Sequence, residues 1–130
     1  MPNIVLAGQD VHLLETRAEV LKATGAEVVY CIGSQALKVV ESERPDLLVL
    51  CHSLLNEEAE MIADRVHVCC SKTRVLLVVS QVIDRPYEGE KFDATSLADP
   101  TRLVARANEL LQRPPYHQAK DGIRTQATAL

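Results

Sequence analysis

Cys51 and His52 stand side by side behind the apolar run Leu47-Leu48-Val49-Leu50, which itself follows Arg44-Pro45-Asp46. A thiol and an imidazole are the parts of a nucleophile and its base. In an extended chain, however, adjacent side chains leave on opposite faces, so a thiolate–imidazole pair requires the turn beyond the strand to bring His52 round. The plainer reading is a small buried thiol filling apolar volume. The sharper one is a redox-sensing Cys51, which needs a depressed pKa and access to solvent.

The remaining metal-ligating types point the same way. Cys31, Cys69 and Cys70 complete a set of four cysteines, which in an intracellular chain with an adequate core read as reduced thiols. Vicinal Cys69-Cys70 has no second pair at zinc-ribbon spacing, and His67 is the nearest imidazole a metal would have to recruit. Glu57, Glu58 and Glu60 read as the solvated start of a helix, where the helix dipole favours acids. No metal is expected.

Composition narrows the classes further. With 130 residues, 47% of them apolar, the chain suits one domain with a real core. A net charge of −4 and the lack of a Lys/Arg block exclude a phosphate-binding footprint, so no nucleic acid is expected. The longest apolar runs, near 47–51 and 75–79, are too short to span a bilayer, and Met1-Pro2-Asn3 does not open a signal peptide. A cytoplasmic protein with no membrane partner is the expectation.

Strands and helices alternate along the sequence. Residues 3–7 form a short strand, and Asp10 suits the N-cap of a helix over 11–24. That helix carries Leu14, Ala18 and Leu21 on its apolar stripe, with Glu15, Arg17, Glu19 and Lys22 polar. Gly25 fits the C′ position. Residues 27–31 are β-rich. Ser34 caps a second helix through Ala36, Leu37 and Val40, which must end before Pro45.

Residues 46–51 read as a strand buried on both faces, the mark of a parallel sheet. Asn56 caps a third helix whose apolar face is Ala59, Ile62, Ala63, Val66 and Cys70, and residues 74–80 give another buried strand. Asp99-Pro100 starts the last helix, with the proline at N1. This helix buries Leu103, Ala107, Leu110 and Leu111, and Pro114-Pro115 stops it. A strand near 93–97 must precede it. Residues 81–97 otherwise show little helical pattern, so a loop or single turn is expected there. The domain is assigned to 1–112 and a polar, fraying tail to 113–130.

This layout resembles the receiver domain of two-component response regulators, the CheY-like domains. Ile4-Val5-Leu6-Ala7 matches the first strand, and Glu43-Arg44-Pro45-Asp46-Leu47-Leu48-Val49-Leu50 the approach to the phosphorylation site. Residues 75–80 match the fourth strand, and the segment from Asp99-Pro100-Thr101-Arg102 the last helix. The resemblance implies an α/β, flavodoxin-like (βα)5 three-layer sandwich. Its five parallel strands run in the order 2-1-3-4-5, with helix four shortened or missing.

Residue by residue, the resemblance implies a disabled switch. The acidic pair that holds Mg²⁺ in the family is matched by Gly8 and Gln9, with a lone acid at Asp10. The phosphoaccepting aspartate is matched by Cys51, and the hydroxyl that closes strand four by Ser80. The family's lysine is matched by Ser96, and the proline after it by Leu97. An acyl phosphate forms on a carboxylate, and Mg²⁺ needs hard oxygen ligands that a thiol and a glycine do not provide.

The expectation is a stand-alone pseudo-receiver, not an enzyme, that signals by phosphorylation-independent contact with a protein partner or as a homodimer. Arg102 and Arg106, four apart on the last helix, fall on a candidate docking face. Asp10-x-His12 also resembles the start of the Asp-x-His-x-x-Gly signature of corrinoid-binding domains, but Glu15 occupies the glycine position. No phosphate-cradling loop follows the first strand, and the chain has no Trp and one Phe to flank a flavin, so no cofactor is expected. Two alternatives remain open: a thiol-based sensor at Cys51, and a small-molecule site near Gln9, Cys51 and Ser80.

Overall fold

The computed structural model describes residues 2–51, 54, 56–79 and 92–112. Five strands, β1 (Asn3–Gly8), β2 (Glu27–Ile32), β3 (Leu47–Leu50), β4 (Arg74–Val79) and β5 (Ala94–Leu97), form one sheet in the order β2-β1-β3-β4-β5. Every pairing is parallel, with Val5 opposite both Val29 and Leu48, Leu48 opposite Val75, and Leu77 opposite Thr95. Parallel neighbours need crossovers, and helices provide them: α1 (Val11–Leu21), α2 (Ala36–Glu43), α3 (Asn56–Cys69) and α4 (Pro100–Gln112). The flavodoxin-like order is the one expected.

Strand alternation sorts the core into two layers. Val5, Ala7, Leu48, Leu50, Val75 and Leu77 pack with Ala36 and Val40 of α2 and with Ala59, Ile62, Ala63 and Val66 of α3. Ile4, Leu6, Leu47, Val49, Leu76 and Val78 pack with Leu14, Ala18 and Leu21 of α1 and with Leu103, Ala107 and Leu110 of α4. All four residues of β3 are fully buried, which is why it reads as an unbroken apolar run. Each such leucine or valine contributes roughly 1.5–3 kcal/mol by leaving water.

The ends of the elements are tied locally. The carboxylate of Asp10 accepts the His12 and Leu13 amides at 3.0 and 3.3 Å, capping α1 as expected. A 3₁₀ turn, Lys22–Thr24, follows α1, and Gly25 closes it at φ 85°. Arg44 closes α2 in the same left-handed region at φ 48°, its N–H donating to the Val40 carbonyl at 2.8 Å. Asp93 fixes the start of β5: its N–H donates to the Val75 carbonyl at 2.9 Å, and its carboxylate accepts the Val75 N–H at 2.7 Å.

Several local expectations are corrected. Ser34 does not cap α2; a 3₁₀ turn, Gly33–Gln35, intervenes, and the helix starts at Ala36 without a side-chain cap. Gly33 is buried there, and a Cβ on it would collide with the Leu54 side chain. Asn56 is the first residue of α3, one place inside the expected cap. Regular β3 pairing stops at Leu50, although the Cys51 amide still donates to the Ala7 carbonyl at 2.9 Å. Arg17, assigned to the polar face of α1, is buried. Ser80, His52, the shortened helix four and the tail at 113–130 lie outside the described residues. Among those that are described, no helix is long and apolar enough to cross a membrane.

Candidate functional site

Parallel α/β sheets present their ligand-binding and reactive groups at the C-terminal ends of the strands. Here those ends carry Gly8 as the last residue of β1 with Gln9 after it, Cys51 after β3, and Ser96-Leu97 in β5. The described positions therefore lie at the C-terminal ends of β1, β3 and β5, with β4 between the last two.

Their side chains are committed to structure. Gln9 donates its amide to Glu58 in the first turn of α3 at 2.9 Å. Gly33 lies against the same pair, with an added Cβ only 3.3 Å from the Gln9 amide nitrogen and from a Glu58 carboxylate oxygen. Asp10, the lone acid, is turned into the amides that open α1. Ser96 is buried, and its hydroxyl donates to the neighbouring Leu97 carbonyl at 2.8 Å. Among the described residues, no three His, Cys, Asp or Glu side chains gather as a metal site would require.

Cys51 is 1% exposed and belongs to the core layer beneath α1 and α4. Burial pushes its thiol up from the ordinary value, outweighing the opposite pull of the Arg17 hydrogen bond and charge. The thiol is therefore held protonated. A protonated, solvent-shielded sulfur is a poor nucleophile and a poor ligand for a hard cation.

Arg17 is the residue missed from the sequence. At 6% exposure it reaches from α1 to the Cys51 thiol. Its position contained the signal, because Leu14, Arg17, Ala18 and Leu21 follow the i, i+3, i+4, i+7 spacing of a buried helical stripe.

The two arginines of the candidate docking face are held by neighbours. Arg106 grips both oxygens of Glu109 at 3.0 and 2.9 Å and donates to the Thr95 carbonyl at 3.4 Å, tying α4 to β5. Arg102 stays mostly exposed and lies 3.6 Å from Asp99, the residue that caps its own helix. His67 sits apart from the strand ends, bonded through Nε2 to the Asp93 carboxylate at 3.2 Å.

Comparison with known proteins places this geometry. No protein-family model matches the chain, and neither does any curated protein. Solved structures do. A CheY-like response regulator receiver domain from Methylobacillus flagellatus superposes with a TM-score of 0.73 at 17% identity, covering 85% of this chain and 98% of that one. A LuxR-family DNA-binding response regulator from Staphylococcus aureus gives 0.71 at 19% identity, over 86% of this chain and 100% of that one. The complex of histidine kinase ThkA with response regulator TrrA gives 0.73 at 18% identity, over 86% of this chain and 100% of the matched one. At such identities the likeness is one of fold.

Proposed function

We propose that the chain is a pseudo-receiver: a signalling module of two-component type that acts through protein–protein contact and without phosphotransfer. The observation that carries this reading is the pairing of Cys51 with Arg17. A buried, protonated thiol sits where the receiver pattern calls for a carboxylate, and a guanidinium lies against it. Asp10, capping α1, and Gln9, bonded to Glu58, leave the neighbouring positions equally committed. Ser96 replaces the family's lysine with a hydroxyl satisfied by its own strand.

The partner in this reading is another signalling protein. One neighbour of this fold, TrrA, is itself seen in complex with a histidine kinase. The exposed side of α4 around Arg102, together with α1, is the surface assigned to contact. A thiol-based sensor at Cys51 is disfavoured by the depth of the sulfur and the upward push on its pKa. The cleft between α2 and α3, about 430 Å³, opens on the other side of the sheet from Cys51. It gives no support to a ligand in the vacated pocket.

The test is incubation with Mg²⁺ and either acetyl phosphate or beryllofluoride, followed by intact mass and amide NMR. An unmodified mass and an unchanged spectrum are expected. A phosphorylated species, or shifts centred on the ends of β1 and β3, would overturn the proposal.

A further inference from the structure

Cys69 and Cys70 behave differently from Cys51. Consecutive side chains diverge by about 100° around a helix and by about 180° along a strand, so adjacent sulfurs normally point apart. Here they meet, with the two Sγ atoms 2.8 Å from each other. The junction explains it. Cys69 is the last residue of α3, and Cys70 is the first beyond it; the Cys70 N–H still donates to the Val66 carbonyl at 2.8 Å. The Cys70 carbonyl already accepts the Thr73 amide, in the turn that leads to β4.

One sulfur is reachable and the other sheltered, since Cys69 is exposed and Cys70 is 5% exposed. Arg44 holds the junction from outside α3. Its guanidinium lies 3.4 Å from the Cys69 carbonyl and 3.5 Å from the Cys70 sulfur. Beside Cys69 runs the cleft between α2 and α3, which offers a path for a small reagent.

We propose that Cys69 and Cys70 are a dithiol modification site that closes to a vicinal disulfide with a peroxide as the oxidant. A thiolate of the pair attacks the peroxide, the O–O bond breaks, and a sulfenic acid forms with release of water or an alcohol. The second thiol then attacks that sulfur and displaces water. Two thiols lose two protons and two electrons, and the peroxide is reduced.

Two properties follow from position. Adjacent Cα atoms are about 3.8 Å apart, nearer than the roughly 4.4–6.8 Å that disulfides usually span, so the ring is strained and easily reduced. Desolvation of the sulfur, then its contact with the Cys70 thiol and the charge of the Glu41 carboxylate on α2, push the Cys69 pKa up to about 11 against the pull of the Arg44 guanidinium, even though the residue as a whole is exposed. Closure is therefore slow at neutral pH, and its rate rises about tenfold per pH unit from pH 7 to 9, as the thiolate fraction does.

The full chain lends itself to a direct test, because trypsin releases residues 66–72 with both cysteines and no other. After hydrogen peroxide and then alkylation, this peptide is expected to be lighter by two hydrogens and unalkylated, and dithiothreitol should restore two alkylation sites. Cys69→Ser, at an exposed position, should abolish closure while the far-UV spectrum stays unchanged. Cys51→Ser should leave closure intact. Two alkyl groups after oxidation, a sulfinic acid on Cys69 beside an alkylated Cys70, or a Cys69-linked dimer would each overturn the proposal.

Discussion

Arg17 of α1 and Cys51 at the end of β3 are both buried in the core, where the guanidinium pulls the thiol pKa down against the larger upward push of burial. A helix that follows β1 thus reaches across to the tip of β3, the neighbouring strand in the sheet.

Arg17 holds a charge inside the core. Replacing buried charged groups by apolar ones of similar volume is often neutral or stabilising. Arg17→Met is expected to change stability by less than about 1 kcal/mol in urea unfolding. Arg17→Ala, which also removes the packing of the side-chain stem, should cost about 2 kcal/mol. With Arg17→Met, Cys51 loses its one opposing influence, and its alkylation at pH 8 should become slower still.

A carboxylate placed at position 51 should not by itself create a phosphorylation site. In Cys51→Asp the new acid faces Arg17 and pairs with it, while Asp10 remains turned into α1. The variant is expected to fold and to show no phosphorylated mass after acetyl phosphate with Mg²⁺. A modified mass would mean that the residue at position 51 alone decides whether this strand end takes up a phosphoryl group.

Asp10 acts as a cap. Asp10→Ala should lower stability by about 1 kcal/mol, and Asp10→Asn by less, since an amide oxygen still accepts the two amides. Thermal unfolding with and without millimolar Mg²⁺ checks this assignment: the loss should be the same in both.

The His67–Asp93 pair makes stability depend on pH. The Asp93 hydrogen bond, acting against burial, raises His67 above its ordinary 6.5. That contribution is full below 6.5 and is lost as pH rises through the folded value. Asp93 is lowered below 3.8: burial works against this, but the His67 and Val75 hydrogen bonds outweigh it. Its contribution is present above 3.8 and lost as pH falls through the lowered value. The pair is therefore strongest between the two, and stability should fall by about 0.5 kcal/mol from pH 6 to 8. His67→Gln should flatten that slope, as urea midpoints across pH would report.

Much of this fold is written in the sequence, because β3 and β4 are runs too apolar for any place but a parallel sheet's centre. Asp10, Gly25 and Asp99-Pro100 mark helix ends by side-chain chemistry that acts within a few residues. Ser34 misleads for the opposite reason. What shapes its turn is the contact of Gly33 with Leu54, a neighbour distant in sequence. Arg17 is hidden in the same way, since a charged residue in an apolar stripe reads as solvent-facing until its partner across the fold is known. Arg106 looks like an open docking charge until Glu109 and Thr95 are seen to hold it.

A guanidinium keeps its positive charge at any pH a folded protein meets. A site that borrows its cation from solution is filled according to the ion's concentration and empties when the ion is scarce. Arg17 is covalently part of the chain, so in the folded protein it stands near Cys51 whatever the ion concentration outside. The charge at this edge of the sheet is a constant of the fold, where an exchangeable ion would have made it a variable.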